Sequence, residues 1–281
     1  MDKTNRTSTL DKLIGLIRDT SSSLPADVEK SLRKALKGEK PGSSAAVVLK
    51  TILENVALAR KMKTPLCQDT GTLTFFVNES LRRRVTPRLI KKAVTEATRL
   101  GYLRKNTIDS VTGGSYDDNV TDGAPVVHYT GMEGVTLLMK GGGSENMSRQ
   151  YSLPDARLGA GRDLEGVRRC ILDAVQNAQG YGCAPGILGV TVGGDRATAY
   201  ETAKLQLLRP LTGDRNPDKT LAALEKRLLK EANGLHIGPM GLGGATTLLG
   251  VKIAARPRVP ASFFVTVAYL CWAARRRTVN I

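Results

Sequence analysis

The chain has 281 residues, enough to bury a sizeable core as one large domain or two closely joined ones. Hydrophobic residues make up 41% and charged residues 24%, as in folded globular proteins, and no apolar run approaches the roughly 18 residues of a membrane-crossing helix. The net charge of +16 is dispersed, aromatics are only 4%, and no nucleic-acid-binding motif accompanies the basic clusters, so small dianions or an acidic partner fit the charge better than DNA or RNA. Met1 to Thr20 is polar and lacks the apolar centre of a signal peptide, so a cytoplasmic location is expected.

Leu10 to Ile17 and Val28 to Leu36 have helical spacing. Ser43 or Ser44 is placed to cap a long helix running through Val47, Ile52, Val56 and Leu58. Pro65 ends that region, and Leu73 to Val77 follows as a short strand. Thr86-Pro87 opens another helix, ending near Gly101. Residues 105–124 are rich in Asp, Asn, Ser, Gly and Thr and predict a long loop that does not bury itself. Val126 to Tyr129 and Val135 to Met139 read as two strands paired across Gly131-Met-Glu-Gly134. Arg162 to Ala178 is an amphipathic helix, Ile187 to Val192 a strand, Ala197 to Leu208 and Asp218 to Asn233 helices, and Thr246 to Ala254 and Phe263 to Leu270 strands. The expected fold class is α/β (mixed α+β), helices packed on mixed sheets, in one domain over residues 1–281 with a helical N-terminal extension over 1–42.

Three of the four cysteines sit in distinctive peptides: Cys67 in Pro65-Leu-Cys-Gln-Asp-Thr-Gly71, Cys183 in Gly182-Cys-Ala-Pro-Gly186, and Cys271 in Cys271-Trp-Ala-Ala-Arg275. None belongs to a CxxC pair, so only folding can bring them together. Three converging thiolates suit a [4Fe–4S] cluster with one iron left open, although free cysteines are often only small buried hydrophobes. Cys170, mid-helix beside Val167 and Ile171, is expected to be such a core residue. Of the two histidines, His128 falls in a strand and is expected to be packed, and His236 precedes a Gly-rich turn. The run Gly141-Gly-Gly143 allows backbone N–H groups to approach an anion, but glycine runs are also ordinary turns.

Taken together, these peptides resemble the iron–sulfur (class I) fumarate hydratase and L(+)-tartrate dehydratase family, as the separate α subunit equivalent to the N-terminal domain of the fused enzymes. Six ordered segments carry the resemblance over roughly Ser43 to Arg276: Pro65–Gly71, Leu103-Arg104-Lys-Asn106, Lys140-Gly-Gly-Gly-Ser-Glu-Asn-Met-Ser148, Cys183-Ala-Pro-Gly186, Ile237-Gly-Pro-Met-Gly-Leu-Gly-Gly244 and Cys271-Trp-Ala. The resemblance implies that Cys67, Cys183 and Cys271 ligate a [4Fe–4S] cluster and that its fourth iron is the Lewis acid for reversible hydration of a dicarboxylate. It implies that Gln68 and Asp69 contact substrate and that Asp69 protonates the departing hydroxyl. It also makes Arg104 a carboxylate clamp and Gly141, Gly142 and Gly143 a backbone contact to substrate. The family's threonine base and further clamps lie in a C-terminal domain, so the chain is expected to need a β subunit, in a heterotetramer, and to be inactive alone.

Two segments depart from the family pattern. Where the family carries histidine twelve residues before the third cysteine, this chain has Val259, in Arg258-Val-Pro-Ala-Ser262. Valine cannot donate a hydrogen bond, and an unpaired substrate oxygen there would cost on the order of 1–3 kcal/mol. Asn119-Val-Thr-Asp122-Gly-Ala-Pro125 stands where the family tends to Asn-Thr-Gly-Asp-Asn-Thr-Pro. Fumarate/L-malate is the expected substrate pair. L-tartrate or a branched dicarboxylate is the alternative, and a non-catalytic paralogue on the same fold is the reading of a different class.

Overall fold

A computed structural model describes residues 8–281; the first seven residues of the expected N-terminal extension lie outside the described residues. In chain order the elements are α1 (Thr9–Ser22), α2 (Ala26–Gly38), α3 (Ser44–Met62), β1 (Thr72–Asn78), α4 (Pro87–Arg99), β2 (Thr107–Ile108), β3 (Ser115–Tyr116), β4 (Val126–Thr130) and β5 (Val135–Lys140). They continue with the short α5 (Gly142–Asn146), β6 (Arg149–Ser152), α6 (Leu164–Ala178), β7 (Gly186–Gly193), α7 (Arg196–Gln206), α8 (Lys219–Asn233), β8 (Leu248–Arg256), β9 (Phe264–Leu270) and β10 (Arg275–Val279). The mixture of helices with parallel and antiparallel strands is an α/β fold. The chain forms two compact units. One contains the N-terminal segment through Pro25, Glu54–Gly142 and Arg275–Ile281; the other contains Ala26–Leu53 and Gly143–Ala274.

In the first unit a four-stranded sheet has the order β10-β5-β1-β4. Leu73, Phe75 and Val77 of β1 face a core shared with Leu13, Leu16 and Ile17 of α1 and Ile90, Ala93, Val94 and Ala97 of α4. The alternation of a strand sends Phe76 to the opposite face, where it stacks on His128, its cross-strand neighbour on β4, at 5.4 Å between ring centres. The two strands expected to pair across Gly131–Gly134 do not pair with each other. β4 runs parallel to β1 and β5 antiparallel to it, so β1 lies between them. β1 is apolar on both faces and buried over Leu73–Val77, which suits a central strand, and no sequence pattern distinguishes the neighbour in space from the neighbour in sequence. β10 was not expected at all: its Arg-Arg-Arg-Thr-Val reads as a solvated basic run, yet it pairs with β5 from Val135 to Met139.

In the second unit the sheet order is β6-β9-β7-β8. Every residue of β7 is buried. Leu188, Val190 and Val192 pack with Val167, Ile171 and Val175 of α6 and Leu221, Leu224 and Leu228 of α8. Gly189 points the other way, where a Cβ would lie 2.1 Å from the Ala203 carbonyl oxygen of α7, so only glycine admits that helix.

The expected caps at Ser43 and Thr86 form: Ser43 Oγ accepts the Ala46 N–H at 3.2 Å and Thr86 Oγ1 that of Leu89 at 3.3 Å. The α6 helix, expected from Arg162, begins instead after Asp163, whose Oδ1 accepts the Gly166 N–H at 2.7 Å. On α3 the buried residues include Ala45, Leu49, Ile52, Leu53, Val56 and Ala59; of the apolar residues named from the sequence, Val47 and Leu58 are 57% and 60% exposed. Those two lie off the i, i+3, i+4 row that the others share. Strand β8 begins two residues later than expected, because the Thr246 N–H goes to Glu39 and the Thr247 and Leu248 N–H groups go to Asn233 Oδ1. Among the described residues no helix is long and apolar enough to cross a membrane.

Candidate functional site

In the first unit the candidate site is a corner built around Asp69. α3 ends at Met62, and the chain is held beyond it by Asn55 Nδ2 donating to the Leu66 carbonyl at 3.0 Å and by the Leu66 N–H donating to the Ser21 carbonyl at 2.9 Å. Cys67 follows, half-buried, with its Sγ accepting the Asp69 N–H at 3.4 Å. The Asp69 carboxylate takes three donors: Gly71 N–H at 2.8 Å and Asn106 Nδ2 at 3.0 Å on Oδ1, and Gly142 N–H at 2.7 Å on Oδ2. Gly71 has φ of 76°, and a Cβ there would meet the Lys140 carbonyl oxygen at 2.5 Å, so the turn that aims Asp69 at the end of β5 requires glycine. Asp69, Gly71, Asn106, Asn119 and Gly142 line a cavity of about 330 Å³.

The loop expected to be unburied is organised by one side chain. Asn119 is 1% exposed and has φ of 62°. Its Oδ1 accepts the N–H groups of Asn106 and Thr107, and its Nδ2 donates to the Arg104 carbonyl at 2.8 Å. Thr70 Oγ1 also binds both the N–H and the carbonyl of Arg104, at 3.0 and 3.1 Å. The Arg104 backbone is therefore fixed beside Asp69, while its guanidinium is exposed and makes no hydrogen bond or ion pair among the described residues. Further along, Asp109 caps the β2–β3 turn. Hydrogen bonds from the Thr112 backbone and hydroxyl, the Tyr116 hydroxyl and the Val111 N–H hold its carboxyl at about 2, below the ordinary 3.8.

In the second unit Cys183 and Cys271 are gathered by packing. Cys183 adopts φ of 50°, a region that non-glycine residues rarely enter, between Gly182 and the Ala184–Pro185 peptide. Its carbonyl accepts the N–H of Trp272, the residue after Cys271, at 3.2 Å. Beneath the turn lies Tyr269, 2% exposed. A Cβ at either Gly182 or Gly186 would come within 2.4 Å of the tyrosine. Burial, with the nearby Cys271 and Cys183 thiols adding to it, pushes the Tyr269 hydroxyl well above its usual range. The Gly-rich segment packs here too: the Met240 N–H donates to the Ala184 carbonyl at 2.9 Å, and Glu39 accepts the N–H groups of Ala245 and Thr246. His236 Nδ1 lies 3.4 Å from the Gly244 carbonyl oxygen.

Asp69, Gly141 and Gly142 thus meet in the first unit, with Cys67, Gln68 and the Arg104 backbone next to them in the chain or by hydrogen bonds. Gly143, Cys183 and Cys271 belong to the second unit. Val259 is 65% exposed. All four cysteines are free thiols; Cys67, Cys183 and Cys271 are half-buried, whereas Cys170 is fully buried in the core, where burial pushes its thiol up to about 12. The three half-buried thiols are donors of the kind a [4Fe–4S] cluster would take, and the buried Cys170 is not. Among the described residues no three His, Cys, Asp or Glu side chains form a group able to hold a single metal ion. A cluster does not demand one, since each thiolate binds its own iron. No role was expected from the sequence for Asn106, Asn119 or Thr70, although each stands inside a segment compared with the family: Thr70 in Pro65–Gly71, Asn106 in Leu103–Asn106 and Asn119 in Asn119–Pro125.

The fumarate hydratase (Fumerase) family model matches residues 11–280. A Geobacillus stearothermophilus protein named as a class I fumarate hydratase is 48% identical over 275 residues, covering 95% of this chain and 53% of that protein. The chain thus spans about half the length of that relative. A Methanocaldococcus jannaschii protein named as an L(+)-tartrate dehydratase subunit alpha is 35% identical, covering 96% of each chain. The L(+)-tartrate dehydratase subunit alpha of Escherichia coli K12 is 30% identical, covering all of this chain and 94% of its own.

Proposed function

The chain belongs to the fumarate hydratase family, and from that premise we propose that it is the α subunit of a [4Fe–4S] hydro-lyase acting on a dicarboxylic acid. The observation that carries the reading is the Asp69 corner: a carboxylate held by three donors, on the wall of a cavity and two residues from the Cys67 thiol. Cys67, Cys183 and Cys271 would hold the cluster. When bound, it supplies Lewis-acid assistance to the departing hydroxyl.

This chain's own residues do the rest of the work on this side. Asp69 is the acid that passes a proton to the leaving hydroxyl. Its Oδ2 has one donor where Oδ1 has two, so Oδ2 keeps the free lone pair for that proton. Asn106, Gly71 and Gly142 fix the direction of the carboxylate, which makes transfer intramolecular in effect. Gln68 and the exposed Arg104 guanidinium are free to reach a substrate carboxylate, Arg104 as a bidentate fork. Gly141, Gly142 and Gly143 let the substrate approach the main chain without a side chain in the way.

The remaining base and clamps come from a β subunit, in a cytoplasmic heterotetramer. Fumarate and L-malate are the leading pair, supported by the 48% relative's name. L-tartrate is the second reading. The relatives named as separate tartrate dehydratase α subunits match along nearly their full lengths, and a valine replaces the family histidine at 259. The test is anaerobic co-purification with the neighbouring β chain, iron and sulfide analysis, and turnover of fumarate, L-malate and L-tartrate. About four irons per α chain with turnover of one acid is the expected result. An iron-free, inactive complex after anaerobic reconstitution would overturn the proposal.

A further inference from the structure

The first unit contains a buried charge that no neighbour among the described residues neutralises. Arg275, the first residue of β10, is 1% exposed, and its Nε and Nη1 have no hydrogen-bond partner. It makes no ion pair among the described residues. Arginine does not shed its proton on burial, so it stays charged in a medium that disfavours charge, at a cost of several kcal/mol. A fold kept for stability alone would place Met or Leu there.

Its position suggests why it is kept. Arg275 is in register with Met139 on β5, two residues before Gly141. The point that a Cβ on Gly141 would occupy lies 2.9 Å from Asp69 Oδ2 and 3.9 Å from Arg275 Nη2. The guanidinium therefore stands behind Gly141, close to the Asp69 carboxylate but not bonded to it. The three donors on Asp69 are Gly71, Asn106 and Gly142, so the charge of Arg275 is not used up there.

We propose that Arg275 is a positioning residue for the reaction: its fixed buried charge draws a substrate carboxylate to the Gly141–Gly142 main chain beside Asp69 and sets a preference for dianions over monoanions. The proposal rests on the hydro-lyase reading. It requires no contact, because a unit charge acting over about 7 Å at an effective dielectric constant of about 20 is worth roughly a fiftyfold change in affinity.

The experiment uses the α–β complex with its cluster. Equilibrium dissociation constants for L-malate and for the monocarboxylate crotonate are measured by calorimetry, with kcat and KM for hydration, in wild type, R275M and R275K. R275M is expected to weaken L-malate binding about ten- to fiftyfold, to raise KM more than it lowers kcat, and to change crotonate binding less. It is also expected to melt no lower than wild type, since it removes an uncompensated buried charge. R275K, which keeps the charge and loses the fork, is expected to recover most of the affinity. Unchanged L-malate affinity in R275M overturns the proposal. So does equal loss in R275M and R275K with lowered melting of both, which is what a packing role predicts. A wild-type complex that neither binds nor turns over fumarate, L-malate or L-tartrate overturns the parent reading and this one with it. Wild-type turnover with an indifferent R275M overturns this one alone.

Discussion

The Asp69 corner of the first unit and the Cys183–Cys271 turn of the second each fix a side chain of the proposed site, by opposite means. Asp69 is oriented by hydrogen bonds, one from a side chain and two from the main chain, at a half-open cavity. Cys183 and Cys271 are positioned by close packing: Tyr269 fills the space left by two missing side chains at Gly182 and Gly186. Hydrogen bonds are directional and individually modest, so the first site can lose a partner and still form. Packing against a buried ring has no slack, so the second site tolerates no added atom. The division suits the proposed tasks. A proton carrier must stay within reach of solvent and substrate, and thiolates that hold a cluster need only a rigid frame.

The comparison breaks most visibly at the proposed proton carrier. Asp69→Asn keeps the shape of the corner but removes the transferable proton, and kcat of the α–β complex is expected to fall about 10²- to 10⁴-fold with little change in melting temperature. A mutant with near wild-type kcat would remove Asp69 from the chemistry. The packed site should behave inversely. Gly182→Ala is expected to destabilise the protein by about 1–3 kcal/mol in urea unfolding, and to lower cluster content, because the new methyl collides with the Tyr269 ring. Tyr269→Phe, which retains the ring, should be far milder. If both prove silent, the turn has slack after all.

Asn106→Ala removes one of three donors to Asp69. A loss of about 1 kcal/mol, or five- to tenfold in kcat/KM, is expected with the fold unaffected. The smallest effect lies at the rim. Asp109 has a folded-state pKa of about 2, depressed below its ordinary 3.8, so it stabilises the β2–β3 turn above the ordinary value and loses that contribution as pH falls through about 2. Amide exchange at Thr112 should therefore lose protection between about pH 4 and 2, and Asp109→Asn should abolish that dependence. A turn equally protected across the range would show that the Asp109 hydrogen bonds do not hold it.

The main helices could be anticipated to within one or two residues, because the apolar spacing is regular and Ser43 and Thr86 cap two of them; Asp163 and Asp218, read as the first turns of their helices, prove to be caps as well. Cys170 was recognisable as core from its place on the Val167/Ile171 stripe. Asn119 was not recognisable: a polar residue in a polar loop gives no sign that its amide is buried and ties its own loop to Arg104–Thr107 and to Thr98 of α4. β10 was missed because three arginines look like a solvent face. Arg277 does donate to Ser23 Oγ at 3.0 Å, but Arg275 is drawn into the interior by the pairing of its strand with β5.

By itself the sequence determined the helices and most strands, the identity of the distinctive thiols and the motif around Asp69, since local propensity, periodicity and capping act over a few residues. Tertiary structure alone decided that β1 lies between β4 and β5, that Tyr269 supports the Cys183 turn, and that Arg275 carries its charge behind Gly141. Each of these depends on residues more than about 50 positions apart, and long-range packing, unlike a turn or a cap, leaves no local pattern from which it can be read.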